Sequence, residues 1–340
     1  MQADIAGYVQ GLVSAACAVP DSTLLRREFC IGRMTMRARF SNPGLAKLYS
    51  SRLFPSDRPP DCHVDVLETG RLGWPPLARW SDSSCDRQCF HRALGADLLA
   101  AYPHTPRLWE VASVSMGRVV QVTETVDDLP VWDSGAPLRT PIHWACVDRG
   151  WRLVHAATLG IGRRAVLIVG PGGVGKSGTT LAGMANGLQT VGDDYVLVEP
   201  GNPPIARPVY RLLKQDRRGI ARIPGLEARL LDSRPNWQGK LEFDPERVFP
   251  GAMAESQEIV AIVTPVIARA GISRIEPLQA SETLPILTRA ILTQFPGERD
   301  SGFLFSVGLS KKLPAFRLVL SESPEEVAGV LRQFVEEFGA

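Results

Sequence analysis

Apolar and polar positions divide the chain into two stretches of different character. Residues 29–40 alternate, with Phe29, Ile31, Met34, Met36, Ala38 and Phe40 mostly on one side, which is strand periodicity. Leu45, Leu48, Tyr49 and Leu53 then recur at helical spacing. Strand-like runs follow over 62–67 and 110–125, the second expected to be a hairpin turning at Met116-Gly117. The first twenty residues carry Asp4 and no basic cluster before their apolar stretch, so they read as a short amphipathic helix and not as a signal peptide. Pro130, Pro137 and Pro141 interrupt the pattern. They place a boundary near 140, after an α+β domain with more strand than helix.

From His143 onward the pattern is that of an α/β domain. Residues 151–159 and 165–169 read as strands, the second ending in a glycine-rich turn. A helix follows to the C-cap pair Asn186-Gly187, then strand-like runs over 188–191 and 195–198, and a proline-rich loop over 199–208. Residues 259–268 are expected to add a strand to the same sheet. The chain closes on a helix announced by Ser323, Pro324 and Glu326, with Val327, Val330, Leu331, Phe334 and Phe338 on its apolar face.

Composition changes this picture little. The 340 residues suffice for two domains with real cores, and a net charge of +2 gives no field that argues for nucleic acid or a membrane surface. No apolar run approaches the roughly 20 residues of a membrane helix. The six cysteines are sparse and irregular, which fits a reduced, cytoplasmic chain. Cys85, Cys89 and His91 would need a second ligand pair to form a zinc site, and none follows at a usual spacing.

The chemistry concentrates at GPGGVGKS, residues 170–177, a full match to the phosphate-binding loop G-x-x-x-x-G-K-[ST] with an apolar strand before it and a helix after it. Gly170, Gly172, Gly173 and Gly175, with Val174 between, let the backbone turn its N–H groups onto phosphate oxygens, and the helix start through Gly178 adds positive partial charge. Lys176 is placed to reach the β- and γ-phosphates, and the Ser177 hydroxyl to ligate Mg²⁺. A bare glycine-rich turn is the plainer reading; the extra glycines and the flanking elements favour a nucleotide. Asp193 and Asp194 come at the end of the next expected strand. Two such carboxylates beside a metal–phosphate site suit two jobs, one holding metal and one accepting the proton of an attacking hydroxyl. Neighbours on a strand face opposite ways, so they can cooperate only where the strand ends. His155, on the strand-like run before the loop, could approach the same site; a lone histidine is more often structural.

These motifs resemble the HPr kinase/phosphorylase-like serine kinases and the related PEP-carboxykinase-like nucleotide-binding fold. The resemblance rests on LVHAATL, AVLIVG, PGGVGKS and TVGDDYVLV within residues 151–198. APLRTPIHW, VYRLLK and LTQFPG look like a bacterial subgroup whose members include lasso-peptide kinases, which phosphorylate a terminal serine of a precursor peptide. The likeness spans about residues 106–338, and the first hundred residues match only loosely. It implies ATP and Mg²⁺ as cofactors, Asp193 as general base, Asp194 as the second acid near the metal, and an active-site place for His155. DRRGIARIPG, residues 216–225, agrees only in part with the family's downstream signature, which speaks against HPr itself as substrate. Lys214, Arg217, Arg218 and Arg222 around it are candidates for gripping phosphate or an acidic substrate, or a solvated basic loop. The expected activity is transfer of the γ-phosphate of Mg²⁺-ATP to a serine of a peptide or protein. A small-molecule acceptor or a nucleotide-binding regulator are the other readings, and the oligomeric state is left open.

Overall fold

The structure is a computed structural model, and it describes residues 4–79, 94–102, 107–231, 233–295 and 299–338. Cys85, Cys89 and His91 lie outside the described residues; Cys17, Cys30, Cys62 and Cys146 are free thiols. Two compact units form, Met1–Arg149 with Phe295–Gly297, and Gly150–Gln294 with Glu298–Ala340.

The first unit runs α1 (Ile5–Ala18), β1 (Leu25–Ile31), β2 (Met34–Phe40), α2 (Pro43–Ser50), β3 (Phe54–Pro55), β4 (Cys62–Glu68), α3 (Thr69–Leu72), β5 (Leu98–Ala101), β6 (Leu108–Ser113), β7 (Arg118–Thr123) and α4 (Arg139–Val147). Among the described residues its strands form one seven-stranded sheet, ordered β3-β1-β2-β4-β7-β6-β5. The alternating run over 29–40 proves to be two strands, because Gly32 at φ 60° turns the chain back into a hairpin. The hairpin expected at Met116-Gly117 forms, with Gly117 at φ 57°. The unit extends past the expected boundary at 140 to Arg149, since α4 packs on β6 and β7.

Alternation decides the two faces of this sheet. Val111, Val120 and Val122 turn toward Val9, Leu12 and Val13 of α1. Their neighbours Glu110 and Gln121 are buried as well. The Tyr49 hydroxyl lies within hydrogen-bond reach of both Gln121 Oε1 and Asp133 Oδ2 there, and donates its single proton to one of them at a time. Burial pushes the Glu110 carboxyl up to about 7 and that of Asp133 up to about 6. An acid whose pKa is raised on folding is bound by more protons in the native state, so its contribution is present in acid and lost as pH rises. The first unit is therefore expected to lose stability between about pH 4.5 and 7, and Glu110→Gln to flatten that decline. Urea midpoints measured across this range check it; an unchanged slope would remove Glu110 as the cause.

The second unit runs β8 (Arg152–Val154), β9 (Ala157–Ile161), β10 (Arg164–Ile168), α5 (Lys176–Ala185), β11 (Val196–Glu199), β12 (Ile205–Arg207), β13 (Leu213–Gln215), α6 (Arg217–Ala221), α7 (Leu226–Arg229), β14 (Leu241–Phe243), α8 (Pro245–Val248), β15 (Gln257–Ala270), β16 (Arg274–Pro277), α9 (Ala280–Leu292), α10 (Arg299–Lys312), β17 (Ala315–Ser321) and α11 (Pro324–Glu337). Its spine is parallel: β10 pairs with β15, and β15 with β17. β9 closes one side antiparallel to β10. Both faces of the spine are covered, as parallel sheets require. Leu167 and Val169 pack with Leu287 and Ile291 of α9, while Val166 and Ile168 pack with Ala182 of α5 and Leu331 of α11. A third cluster joins Leu181 and Met184 of α5 to Leu213, Leu226 and Phe243, which fixes the β13–β14 pair and the short helices beside the loop.

Three expectations change here. The run over 151–159 breaks at His155 and Ala156 into β8 and β9, which pair with different partners, β11 and β10. Residues 188–191 make isolated bridges through Gln189 and Thr190 instead of a strand. The proline-rich stretch holds β12, paired with β11 and β15. In the last helix Ser323 caps as expected by accepting from the Glu326 N–H, but its hydroxyl donates to Glu325.

Gly160 shows how closely β9 lies on β10. A Cβ there would sit 1.9 Å from the Arg164 carbonyl oxygen. Gly160→Ala is expected to cost about 3 kcal/mol or more by overpacking against backbone. Thermal unfolding measures this; a melting temperature equal to wild type would refute the close approach.

Candidate active site

The phosphate loop leaves the buried end of β10 and enters α5, the arrangement the motif predicts. Gly173 at φ 84° and Gly175 at φ 107° take conformations that disfavour a side chain. A Cβ on Gly175 would also lie 2.7 Å from Leu320. Pro171, Gly172 and Gly173 are exposed, so the loop's rim is open to a ligand.

Lys176 is buried and folds back over the loop, with Nζ donating to the carbonyls of Gly170 at 2.8 Å and Pro171 at 3.2 Å. Burial holds its ammonium below the ordinary lysine range, against the pull of Asp193 and Asp194, and the charge of Lys240 adds to the lowering. Such a cation gains when an anion arrives.

Ser177 and Asp193 meet. The Ser177 side chain is close enough to the Asp193 carboxylate to lower its pKa, and Asp193 Oδ1 is buried with no hydrogen-bond partner among the described residues. Burial raises the Asp193 pKa, Ser177 opposes this, and the neighbouring Asp194 charge adds to the rise. Asp194 lies beside it in a different setting. Its Oδ1 is 3.3 Å from His155 Nε2 and its Oδ2 2.9 Å from Lys214 Nζ. Burial would raise its pKa, yet the His155 hydrogen bond and the Lys214 charge outweigh that and hold it well below the carboxylate range.

Both aspartates reach the site because the chain leaves strand geometry here. Asp194 sits at φ 86°, a left-handed conformation that aspartate tolerates better than most residues. The turn is pinned from behind. Thr190 accepts from the Gly192 N–H and donates to the Gly192 carbonyl, while Thr158 accepts from the Val191 N–H and donates to Gln257. His155 is held by its N–H on the Ala290 carbonyl, and its ring lies 5.3 Å from that of Tyr195. Thr158, Thr190, Gln257, Tyr195 and Lys240 were not among the residues expected from sequence. The one signal for Thr158 is a hydroxyl inside an otherwise apolar strand run.

Of the expected set, the structure brings together Lys176, Ser177, Asp193, Asp194 and His155, together with Lys214 from the basic candidates. Among the described residues no cluster of three or more His, Cys, Asp or Glu could enclose a metal. The donors present are a hydroxyl and carboxylate oxygens, one of them orphaned. That set suits Mg²⁺, which keeps waters and takes much of its coordination from nucleotide phosphates. Arg217 pairs with Glu227, and Arg222 donates to the Glu322 carbonyl, so neither points a guanidinium solely at solvent. No helix among the described residues is long and apolar enough to cross a membrane.

No protein-family model matches the chain, and no curated protein matches it. A solved structure similar to part of it is that of the HPr(Ser) kinase/phosphatase from Coxiella burnetii, at 15% identity and a TM-score of 0.29, covering 56% of this chain and 99% of that one. At that level of similarity the functional reading rests on the residues themselves.

Proposed function

We propose that this chain is a Mg²⁺/ATP-dependent kinase that transfers the γ-phosphate to a serine hydroxyl of a peptide or protein, such as the terminal serine of a lasso precursor peptide. One observation carries the reading: a complete phosphate loop whose Ser177 hydroxyl meets a buried aspartate with an unpartnered oxygen. A phosphate-binding module alone has no need of a proton acceptor at that point.

Lys176 and the loop's backbone N–H groups hold the β- and γ-phosphates. Ser177 and Asp194 would be the metal-side donors, and bound Mg²⁺ would supply charge neutralisation between those phosphates. Asp193 takes the acceptor's proton on Oδ1, its raised pKa bringing it closer to the working pH of a base. The serine oxygen then bonds to the γ-phosphorus as the bond from that phosphorus to the β-bridging oxygen breaks. ADP departs with that electron pair. His155 and Lys214 keep Asp194 ionised and oriented. Most of the acceleration comes from positioning and charge.

The test is intact-mass analysis after incubation with Mg²⁺-ATP and a precursor peptide ending in serine. A gain of one phosphate on the peptide supports the reading. Phosphate gained by small hydroxyl compounds but never by peptides would replace it with a small-molecule kinase. Bound nucleotide without ADP formation for any acceptor would replace it with a regulator.

A further inference from the structure

The first unit carries a row of basic groups on the sheet face against which α1 packs. Strand register fixes the row: Arg37 on β2 pairs with His63 on β4, and His63 pairs with Arg118 on β7. Side chains at paired positions share a face, on strands about 4.8 Å apart. Val120, two residues on from Arg118, packs in the cluster that holds α1, so the row lies on the same face. The last turn of α1 meets the next row, where Arg39 donates to the Ala16 and Val19 carbonyls. The Arg37 row beyond it is left partly open, with side-chain exposures of 32% for Arg37 and 19% for Arg118, and His63 between them partly exposed as well.

Two features mark this row as a place for an anion. The first is charge. Four guanidiniums, those of Arg26, Arg37, Arg39 and Arg118, are tied to three carboxylates, Asp21, Glu28 and Asp65. Asp65 is fully buried and serves both Arg39 and Arg118, each through Nε at 2.6 Å. One positive charge is therefore left over. Burial, with the charges of Arg118 and Arg37, holds the His63 imidazole below the ordinary histidine range, against the pull of Asp65.

The second feature is uncommitted donors. Arg37 uses only Nε, on Glu28 at 2.8 Å, and Arg118 uses Nε and Nη2 on Asp65. The two terminal nitrogens of Arg37, Nη1 of Arg118 and the His63 ring make no hydrogen bond to another described residue. Each guanidinium is already oriented by its carboxylate, so little side-chain freedom remains to be lost on binding.

We propose that the Arg37–His63–Arg118 row binds one oxyanion, a carboxylate or phosphate group that accepts from both guanidiniums and from the His63 N–H between them. The group can come from an acidic side chain of a peptide or from free phosphate. This gives the first unit a recognition role that does not depend on phosphate transfer.

The His63 ring resonances read the site by NMR, assigned through their loss in His63→Gln. Two probes are titrated against chloride at equal ionic strength: inorganic phosphate, and N-acetylglutamate methylamide, which carries one side-chain carboxylate. A saturable His63 shift with a millimolar or lower Kd is expected. Arg37→Gln is expected to weaken it by about tenfold or more, the loss of a charge-assisted hydrogen bond. Arg37→Lys is expected to recover only part, because it keeps the charge and loses the fork. Binding of the glutamate probe assigns the site to acidic peptides, and binding of phosphate alone assigns it to the free ion; both support the site. No saturable His63 shift with either probe, or undiminished affinity in Arg37→Gln, would overturn it. His155 reports phosphate arriving at the phosphate loop and so keeps the two sites apart. Unchanged signals from the other histidines before titration show that each variant is folded.

Discussion

Lys176→Met is expected to weaken Mg²⁺-ATP binding by about a hundredfold or more while leaving the protein as stable as wild type. The binding loss follows from charge-assisted hydrogen bonds to two phosphates, each about 1.5–3 kcal/mol. Together they amount to at least about two decades of affinity. The stability expectation has a separate origin. Burial already disfavours the charged form of this lysine, so the empty site carries the ammonium against its solvation. Methionine is close in length, removes that charge, and gives up the bonds to the buried Gly170 carbonyl and to the part-buried Pro171 carbonyl. Calorimetry and thermal unfolding read the two effects independently. ATP affinity within about threefold of wild type would mean that the loop does not hold phosphate through Lys176.

Asp193→Asn is the second large effect. Phosphate transfer to a serine peptide is expected to fall by about a thousandfold, within the range for a general base, while ATP still binds. Asparagine keeps the shape and can still accept from Ser177, but it cannot take a proton. In the wild type, transfer is expected to decline as pH falls through the raised Asp193 pKa, because the protonated carboxyl no longer accepts. Asp194→Asn gives the contrast: a rise in the Mg²⁺ concentration needed, since Asp194 is held ionised by His155 and Lys214. A fully active Asp193→Asn enzyme would sink the base assignment. Loss of Mg²⁺ dependence in Asp193→Asn with transfer lost only in Asp194→Asn would exchange the two roles.

The sites of agreement and surprise share a physical logic. The glycine-rich turn into the helix could be read from eight consecutive residues because its geometry is local: glycines at left-handed positions, a lysine and serine at the helix start. The hairpin at Gly117 and the Ser323 cap were legible for the same reason. The single strand expected over 29–40 failed because alternation survives a tight turn: Ile31 and Met34 are both buried although the chain reverses between them. Apolar content over 188–191 was mistaken for a strand, when its burial comes from packing and side-chain hydrogen bonds around a turn.

From sequence alone, this protein's glycine-rich loop between strand and helix, the mixed character of its two units, and the residue types beside that loop were determined, since each depends on near neighbours along the chain. Tertiary structure alone decided which groups meet. It put Asp193 on Ser177 and aimed Asp194 at His155 and Lys214 through a left-handed turn. It also fixed that turn with Thr158, Thr190 and Gln257. Those groups come from separate strands, helices and loops, and the pattern of a single segment carries no trace of the distance between them once the sheet has formed.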